Sequence, residues 1–366
     1  MKPITLLMLV LSVAFAGFYP PKTYKINLED LPEKRFFDTS LEYSGFLTHL
    51  AKSIMGNINK DLNVTIKEVY NNYMEKYPER MRETRGVADA LNIRPEEVFA
   101  IELLYEIDAG CTALVAKDRS GGVILSHNLD FNLPQLFRES YITEDYMKGR
   151  PQPLFSCSGI AGYIGVLMCV KAGKFSITIN ERSAGGSVKK VIANLRKTYP
   201  LTTWVMRDAL TYDNSYEEAV KRINKTETVS GAYITIAGTK GDEGIILTRN
   251  SNETIHQTTL KDNRFLVQCN CDWNNCTKLN DLTNRTGKAT EMMSNIPQNE
   301  MSLKTMFDRV LKLYPILRED KEYPYIGTIS SVFMGPNASK IVSCIYDPFG
   351  YQKDCDRLIG LESSSA

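Results

Sequence analysis

The amino-acid sequence predicts an α+β protein, a layered sheet with helices that a helical segment precedes. Apolar residues recur three and four positions apart over residues 41–58 and 65–77, which is the period of a helix with one buried face. At Cys111 the pattern changes to short apolar runs separated by glycine turns, which is typical of strands. Helical segments and further strands then alternate, without a repeat, a low-complexity run or a Gly/Ser linker.

Each predicted element follows from a local signal. Residues 36–102 are predicted to be helical, and Pro95 marks the start of one helix because acidic residues follow it in the first turn. Residues 111–131 are predicted to form a β-hairpin, with Gly121 and Gly122 in its turn. Further strands are predicted over residues 163–168, 175–179, 233–237, 244–248 and 265–268, and further helices over 188–197, 203–210, 216–223 and 303–313.

The composition is that of an ordinary globular protein. Of the 366 residues, 44 are Lys or Arg and 43 are Asp or Glu, so the formal net charge is +1. A nearly neutral chain argues against a nucleic-acid partner, because such binding depends on basic residues that displace counterions from phosphates. Charged residues at 24% and hydrophobic residues at 43% also exclude a disordered tail protein and a collagen-like repeat.

The first sixteen residues predict export. Lys2 gives a basic start, residues 4–16 form a short apolar run, and Ala14-Phe15-Ala16 has the small residues of a signal-peptide cleavage site. The run is short for a membrane span, and an uncleaved anchor is the alternative. In a secreted protein, Asn-x-Ser/Thr sequons indicate glycosylated surface loops. They begin at Asn63, Asn224, Asn252, Asn275, Asn284 and Asn337.

Histidine is scarce, and the motifs of common cofactor sites are absent. The chain has three histidines and no phosphate loop, HExxH or GxSxG sequence. Cys269, Cys271 and Cys276 lie close together, but their spacing matches no standard four-ligand zinc site. Disulfides are the favoured interpretation in an oxidising compartment. We therefore expect neither a metal nor an organic cofactor.

The predicted hairpin would bring Asp130 back beside Cys111, since the two strands run antiparallel. If the chain were cut before Cys111, that residue would carry a free amine and a thiol. The amine can act as base for the thiol, because their pKa values lie near ~8 and ~8.5. Asp130 would orient and charge-stabilise the amine, so no histidine would be required. The hairpin alone also fits a core cysteine at the start of a surface hairpin, and by itself it favours that plainer interpretation.

Two segments resemble the active-site hairpin of the acid ceramidase and N-acylethanolamine acid amidase family of N-terminal-nucleophile hydrolases. They are C-T-A-L-V-A-K-D from Cys111 and S-H-N-L-D-F from Ser126. Further matching segments follow the same order at residues 24–36, 161–165, 175–182, 215–219, 244–249 and 268–272. The segment F-S-I-T-I-N-E-R at 175–182 is similar to the acid ceramidase branch.

The resemblance implies an architecture and a set of site residues. It implies a four-layer αββα core and self-cleavage at Gly110–Cys111. A signal peptide (1–16), a helical α-subunit (17–110) and a catalytic β-subunit (111–366) would result. Cys111 would be the nucleophile and Asp130 would hold its amine. Asn270 would donate to the oxyanion, with a turn residue as the alternative. Glu181 would lie near the substrate, with a surface carboxylate paired with Arg182 as the alternative.

Two departures from the family pattern concern arginines. His127 stands where the family has an arginine beside the nucleophile. A histidine can carry a proton at acid pH but lacks the planar fork of a guanidinium. Of a family arginine pair, Arg285 remains, and Asn284 takes the other position. These departures put turnover or substrate choice in question.

The cysteines also depart from acid ceramidase. Residues 17–110 contain none, so the two pieces cannot share a disulfide and must stay together by packing. Cys344 with Cys355 and Cys271 with Cys276 are plausible local pairs. Cys157, Cys169 and Cys269 are left unassigned.

The leading functional hypothesis is a lysosomal or secreted amidase that cuts N-acylsphingosine into a fatty acid and sphingosine. An N-acylethanolamine amidase is the alternative, and a non-catalytic lipid-binding relative is the alternative outside the enzymes. The expected partners are an N-acyl lipid, the two pieces of the same precursor, and transiently a membrane or a lipid-presenting protein. Residues 159–168 are a candidate apolar surface, although a buried strand is the plainer interpretation.

Overall fold

The computed structural model describes residues 17–57, 60–103, 110–132, 134–182, 187–276, 281, 283–318, 326–335, 341–348, 355 and 358–359. The signal peptide expected at 1–16 lies outside these residues. Two strands, which the sequence pattern does not predict, begin the described chain: β1 (Gly17–Tyr19) and β2 (Lys22–Asn27). The predicted helices follow as α1 (Pro32–Arg35), α2 (Phe37–Glu42), α3 (Ser44–Asn57), α4 (Lys60–Lys76), α5 (Pro78–Leu91) and α6 (Pro95–Glu102). Pro95 starts α6, as predicted.

The remaining strands and helices follow the predicted hairpin. The strands are β3 (Gly110–Lys117), β4 (Val123–Asn132), β5 (Tyr141–Met147), β6 (Phe155–Ile160), β7 (Met168–Lys171), β8 (Phe175–Glu181), β9 (Ala232–Ala237), β10 (Gly244–Arg249), β11 (Thr254–Thr259), β12 (Phe265–Gln268), β13 (Ile326–Met334) and β14 (Ile341–Asp347). The helices are α7 (Pro134–Glu139), α8 (Val188–Arg196), α9 (Thr202–Tyr212), α10 (Tyr216–Lys225), α11 (Arg285–Ser294) and α12 (Leu303–Met306), with a π-helical turn at Phe307–Leu311.

Two β-sheets pack face to face between layers of helices. The six-stranded sheet has the order β1-β14-β13-β4-β3-β12, and the eight-stranded sheet has the order β11-β10-β9-β8-β7-β6-β5-β2. A large apolar core, which includes Leu125, Ile177 and Val332, fills the space between them. On the other face of the six-stranded sheet, α11 and α12 cover a second core with Leu114 and Phe333. The predicted α+β class and αββα layers are confirmed.

The segment before residue 110 is built into both sheets. Strand β1 pairs with β14 at the edge of one sheet, and β2 pairs in parallel with β5 at the edge of the other. Helix α5 also places Glu83 against Arg207 of α9, and both side chains are fully buried. Strand pairing and this ion pair attach the segment without a disulfide.

The strand predicted over residues 163–168 is wrong. Only Met168 of this range is in a strand, and the rest forms a buried turn. Gly162 has a φ of +71°, and the N–H groups of Ile164 and Gly165 donate to the Glu102 carboxylate at 2.7 and 2.9 Å. A neighbouring strand cannot use these donors. Because the turn is buried, residues 160–168 also do not offer an apolar surface to a lipid.

All eight cysteines lie in the described part of the chain. The predicted pairs Cys271–Cys276 and Cys344–Cys355 are confirmed, and Cys157 pairs with Cys169 across β6 and β7. Cys111 and Cys269 are outside the disulfides and are buried.

Sequon asparagines differ in exposure. Asn252, Asn275 and Asn284 are exposed, whereas Asn63 and Asn224 are half-buried. Asn337 lies outside the described residues. No helix in the described chain combines the length and the apolar composition that crossing a membrane requires.

Candidate functional site

Cys111 is the second residue of β3 and lies in the predicted hairpin. Across the pair, Gly110 faces Asp130 and Cys111 faces Leu129. The Cys111 side chain is fully buried and belongs to the core between the two sheets. The hairpin therefore brings Asp130 beside the Gly110–Cys111 bond, as predicted.

Asn270 reaches the same place from the other side of β3. Strand β12 pairs with β3 so that Gln268 faces Ala113, and continuation of this register brings Asn270 opposite Cys111. The Cys111 N–H donates to Asn270 Oδ1 at 2.8 Å. Asn270 Nδ2 donates in turn to the Glu181 carbonyl at 2.9 Å. The amide of Asn270 thus links the Cys111 backbone to the end of β8.

Glu181 is half-buried at the end of β8, next to Asn270. The alternative, a surface carboxylate at Glu181 paired with Arg182, does not agree with the contacts of Arg182. Arg182 instead binds the Asp272 carboxylate at 2.6 and 2.8 Å, through Nε and Nη2. This ion pair fixes the turn that follows Asn270.

Arg285 connects the remaining predicted residues. Its guanidinium donates from Nη1 to the Cys111 carbonyl at 3.0 Å and to Asp130 Oδ2 at 3.1 Å. Nη2 donates to Asn270 Oδ1 at 2.9 Å. The side chain is buried. Arg285 is the first residue of α11, and its backbone N–H donates to Asp281 Oδ1 at 2.9 Å. Burial opposes the charge, but Cys269, Asp130 and Asp281 outweigh it and raise the pKa of Arg285.

Asp130 is fully buried, and both of its carboxylate oxygens are bonded. Oδ1 accepts from Thr328 Oγ1 at 2.7 Å, and Oδ2 accepts from Arg285. Burial raises the pKa of Asp130 above its ordinary value, although Arg285, Arg318 and Arg138 act in the opposite direction. In the uncut chain, the Cys111 N–H donates to Asn270.

His127 does not take the place of a charged arginine. The ring is fully buried, and Nε2 lies 3.2 Å from Asn180 Oδ1. Burial lowers the pKa of His127 to about 4, against the opposing effect of Asn180. The ring is therefore mainly neutral at pH 5, so it does not carry the proton that a histidine can take up at acid pH. Asn180 Nδ2 donates to the carbonyls of Gln268 and Cys269 at 2.9 and 3.2 Å, so His127 supports the end of β12.

Four further residues surround the site, and the sequence pattern does not indicate them. They are Thr328, Arg318, Arg138 and Cys269. Thr328 and Arg318 reach Asp130 across more than 180 residues of sequence, for which no local motif exists. Arg138 donates to the Thr328 carbonyl at 2.6 Å. Cys269 directly precedes Asn270, and its Sγ lies 3.5 Å from Thr112 Oγ1.

One group in the described chain has the residue types of a metal site: Cys271, Cys276 and Asp281. The two cysteines are joined in a disulfide, so they offer no thiolate. Both oxygens of Asp281 accept backbone N–H groups of Arg285 and Thr286 at the start of α11. These donors therefore fit a helix cap rather than a metal.

Comparisons with known proteins find similarity to acid ceramidases and to N-acylethanolamine-hydrolyzing acid amidases. No protein-family model matches the chain. Human acid ceramidase is 27% identical over 325 residues, which cover 81% of this chain and 80% of that protein. N-acylethanolamine-hydrolyzing acid amidase of Mus musculus is 27% identical over 303 residues, with 81% and 82% covered. A solved structure of the Caenorhabditis elegans N-acylethanolamine-hydrolyzing acid amidase ortholog superposes with a TM-score of 0.54 at 25% identity, covering 62% of this chain and 94% of that chain.

Proposed function

We propose that this chain is a ceramidase-like amidase. Its similarity to acid ceramidase and to N-acylethanolamine-hydrolyzing acid amidase supports a hydrolase of that family that acts on amide bonds. It cleaves itself between Gly110 and Cys111 and then hydrolyses N-acylsphingosine to a fatty acid and sphingosine. The observation that supports this proposal most is the convergence of Asn270 and Arg285 on the backbone of Cys111, with Asp130 bound to the same Arg285 guanidinium.

The first reaction frees the nucleophile. Cys111 Sγ attacks the Gly110 carbonyl carbon, the C–N bond breaks, and the Cys111 nitrogen takes up a proton. Water then hydrolyses the thioester, which leaves a Gly110 carboxylate and a free Cys111 amine. Two contacts support this geometry, because Asn270 Oδ1 holds the nitrogen of the bond to be cut and Arg285 holds the carbonyl of Cys111. An α-piece (17–110) and a β-piece (111–366) result.

The second reaction uses the new amine as base. The amine takes the thiol proton, Sγ attacks the lipid amide carbonyl, and the tetrahedral intermediate expels sphingosine, whose nitrogen takes the proton. Water hydrolyses the acyl-enzyme and releases the fatty acid. Asn270 Nδ2 carries two N–H groups. One donates to the Glu181 carbonyl, and we assign the other to the oxyanion, where an amide donor contributes about 2.7–4 kcal/mol.

The proposal includes the route of the protein. The signal peptide at 1–16 directs the chain to the secretory pathway, and it is secreted or delivered to the lysosome. Glycans occupy exposed sequons such as Asn252, Asn275 and Asn284. The N-acyl lipid reaches the site through transient contact with a membrane or a lipid-presenting protein.

The test starts from purified protein at acid pH. The wild-type chain is expected to give two pieces, the larger of which begins at Cys111 on N-terminal sequencing. Cys111→Ala is expected to remain a single chain without activity, because it lacks the attacking sulfur. Two pieces from Cys111→Ala would defeat the self-cleavage proposal. An uncut wild-type chain that binds lipid without hydrolysis would support a non-catalytic relative instead.

Substrate choice needs a separate measurement on the cleaved enzyme. N-acylsphingosine and N-acylethanolamines of the same acyl length are compared by kcat/KM at acid pH. Faster hydrolysis of N-acylsphingosine is expected. Hydrolysis of the ethanolamides alone would assign the chain to the other activity of the family.

A further inference from the structure

A second guanidinium, which the family pattern does not indicate, lies beside the bond proposed for cleavage. Arg318 Nη1 is 3.6 Å from the point where a Cβ on Gly110 would stand, and Asp130 Cβ is 3.2 Å from the same point. Burial and the like charge of Arg285 lower the pKa of Arg318, whereas Asp130 and Asp281 raise it. The arginine therefore interacts electrostatically with the same carboxylate that Arg285 binds.

Thr328 fixes Arg318 relative to Asp130. The Arg318 N–H donates to Thr328 Oγ1 at 2.9 Å, and the Thr328 N–H donates back to the Arg318 carbonyl at 3.0 Å. The same hydroxyl donates to Asp130 Oδ1 at 2.7 Å. The pairing of β13 with β4 shifts register between Thr328 and Ser330, directly beside Asp130. A short path of hydrogen bonds thus runs from the Arg318 backbone to the carboxylate.

Asn128 anchors the turn that carries Arg318. Its Nδ2 donates to the Leu311 carbonyl at 2.8 Å, and its Oδ1 accepts from Ser331 Oγ at 2.6 Å. The asparagine is fully buried. Asn128 therefore fixes the segment that leads to Arg318, and Asp130, two residues further along β4, interacts with the charge of Arg318.

We propose that Arg318 is a positioning residue of the Cys111 site, supplying beside Asp130 and Gly110 a positive charge in place of the arginines that this chain lacks at His127 and Asn284. This inference rests on the proposed function. Arg318 keeps Asp130 ionised and disfavours protonation of the Cys111 amine formed by cleavage. The ionised carboxylate holds the amine in place, and the nearby positive charge keeps the amine neutral at acid pH, which hydrolysis requires.

Other charged groups also face the Asp130 carboxylate, and they limit how far the loss of Arg318 can shift the pH profile. Arg285 approaches Asp130 from α11, and Arg138 approaches from α7. Asp281 and the thiols of Cys111 and Cys269 act on Arg285. Since Arg285 and Arg138 remain in an Arg318 variant, the change is expected to be a shift of the pH profile rather than complete inactivation.

The experiment compares pH profiles of kcat/KM for the cleaved enzyme on the amide that it hydrolyses fastest. Arg318→Gln is expected to move the acid limb to higher pH by up to about one unit, so activity at the foot of that limb falls about tenfold. Activity on the plateau is expected to stay within about twofold, with KM unchanged. Arg318→Lys retains a positive charge and is expected to keep the acid limb of the wild type. Arg309→Gln is the matched control, because Arg309 pairs with Glu300 on the surface.

The outcomes separate the inference from the function on which it rests. An equal loss of activity at every pH, or an unchanged profile, in Arg318→Gln would overturn the positioning role. If Arg318→Gln does not fold, Arg318→Lys decides, and a shifted acid limb in that variant would overturn the role. A wild-type chain that neither cleaves nor hydrolyses would overturn the proposed function, and the inference with it.

Discussion

Two buried ionic clusters in this molecule use the same residue types for different ends. The joint cluster links the segment before residue 110 to the rest of the chain and consists of Arg35, Arg80, Glu83, Glu102, Glu144 and Arg207. The site cluster consists of Asp130, Asp281, Arg285 and Arg318 around Cys111. Arginines meet carboxylates in both clusters. The two clusters differ in the groups that their guanidinium side chains bind besides carboxylates.

In the joint cluster, the arginines converge on the Glu83 carboxylate. Both nitrogens at the end of Arg207 donate to Glu83 at 2.7 and 2.8 Å, and Arg35 donates to the same carboxylate at 2.8 Å. In the site cluster, Arg285 also donates to the carbonyl of Cys111 and to Asn270. A buried ion pair is therefore not by itself a sign of function. The contact of Arg285 with the backbone of Cys111 is what distinguishes the site.

The largest expected effect on stability comes from a substitution that breaks the joint cluster. Glu83→Gln leaves Arg207 buried with its main counter-charge removed, which costs about 3–5 kcal/mol of unfolding free energy. Urea unfolding of the uncut Cys111→Ala chain measures this loss without interference from cleavage. Glu79→Gln is the matched control, because Glu79 binds the same Arg35 but is half exposed, and it is expected to cost less than about 1 kcal/mol. Equal stability of the two variants would show that the joint cluster does not hold the segments together.

Much of the site cluster is predictable from sequence, and the joint cluster is not. Cys111, Asp130, Asn270 and Arg285 each lie in or beside a short motif, and the structure brings all four together. Arg318 stands in no motif, because its place depends on hydrogen bonds to Thr328 and on the turn that Asn128 anchors. Long-range contacts of this kind leave no periodic trace in the sequence.

The same limit explains the strands that the sequence pattern missed. Strand β5 contains Glu144 and Asp145, and β13 contains Ser330 and Ser331 in its middle. These polar residues interrupt the apolar runs by which buried strands are found. Several of them are buried because a partner from a distant element accepts or donates a hydrogen bond, as Ser331 does with Asn128. Helices with one apolar face, such as α4, carry their signal locally and were predicted.

The second prediction concerns the pH dependence of the joint cluster. Burial raises the pKa of Glu102 to about 7 and that of Glu144 to about 8. The folded chain then binds more protons than the unfolded chain between about pH 4.5 and 8, so stability falls as pH rises through this window. A shift from 4.5 to about 8 for Glu144, at ~1.4 kcal/mol per pKa unit, corresponds to at most about 5 kcal/mol across this window.

Glu144→Gln separates this contribution from the others. Glutamine mimics the neutral carboxyl, so the variant is expected to match the wild type at pH 5 and to exceed it in Tm at pH 8. His127 opposes the trend at acid pH, because its pKa lies at about 4, but it is common to both chains and cancels in the comparison. Glu291→Gln, at an exposed site, is the control and should leave the pH dependence unchanged. A wild-type Tm that does not fall between pH 5 and 8 relative to Glu144→Gln would contradict the prediction.

The smallest expected effect distinguishes Cys269 from Cys111, the two cysteines that lie outside the disulfides. Burial raises the pKa of Cys269, against the opposing charge of Arg285, which disfavours its reactive thiolate. Cys269→Ala is therefore expected to retain cleavage and hydrolysis and to cost about 1 kcal/mol of stability through loss of packing at Thr112. Thiol titration of unfolded, unreduced protein should find two thiols in the wild type and one in either Cys111→Ala or Cys269→Ala. Loss of cleavage in a folded Cys269→Ala chain would contradict this prediction. It would show that Cys269, which directly precedes Asn270, takes part in the cleavage reaction together with Cys111.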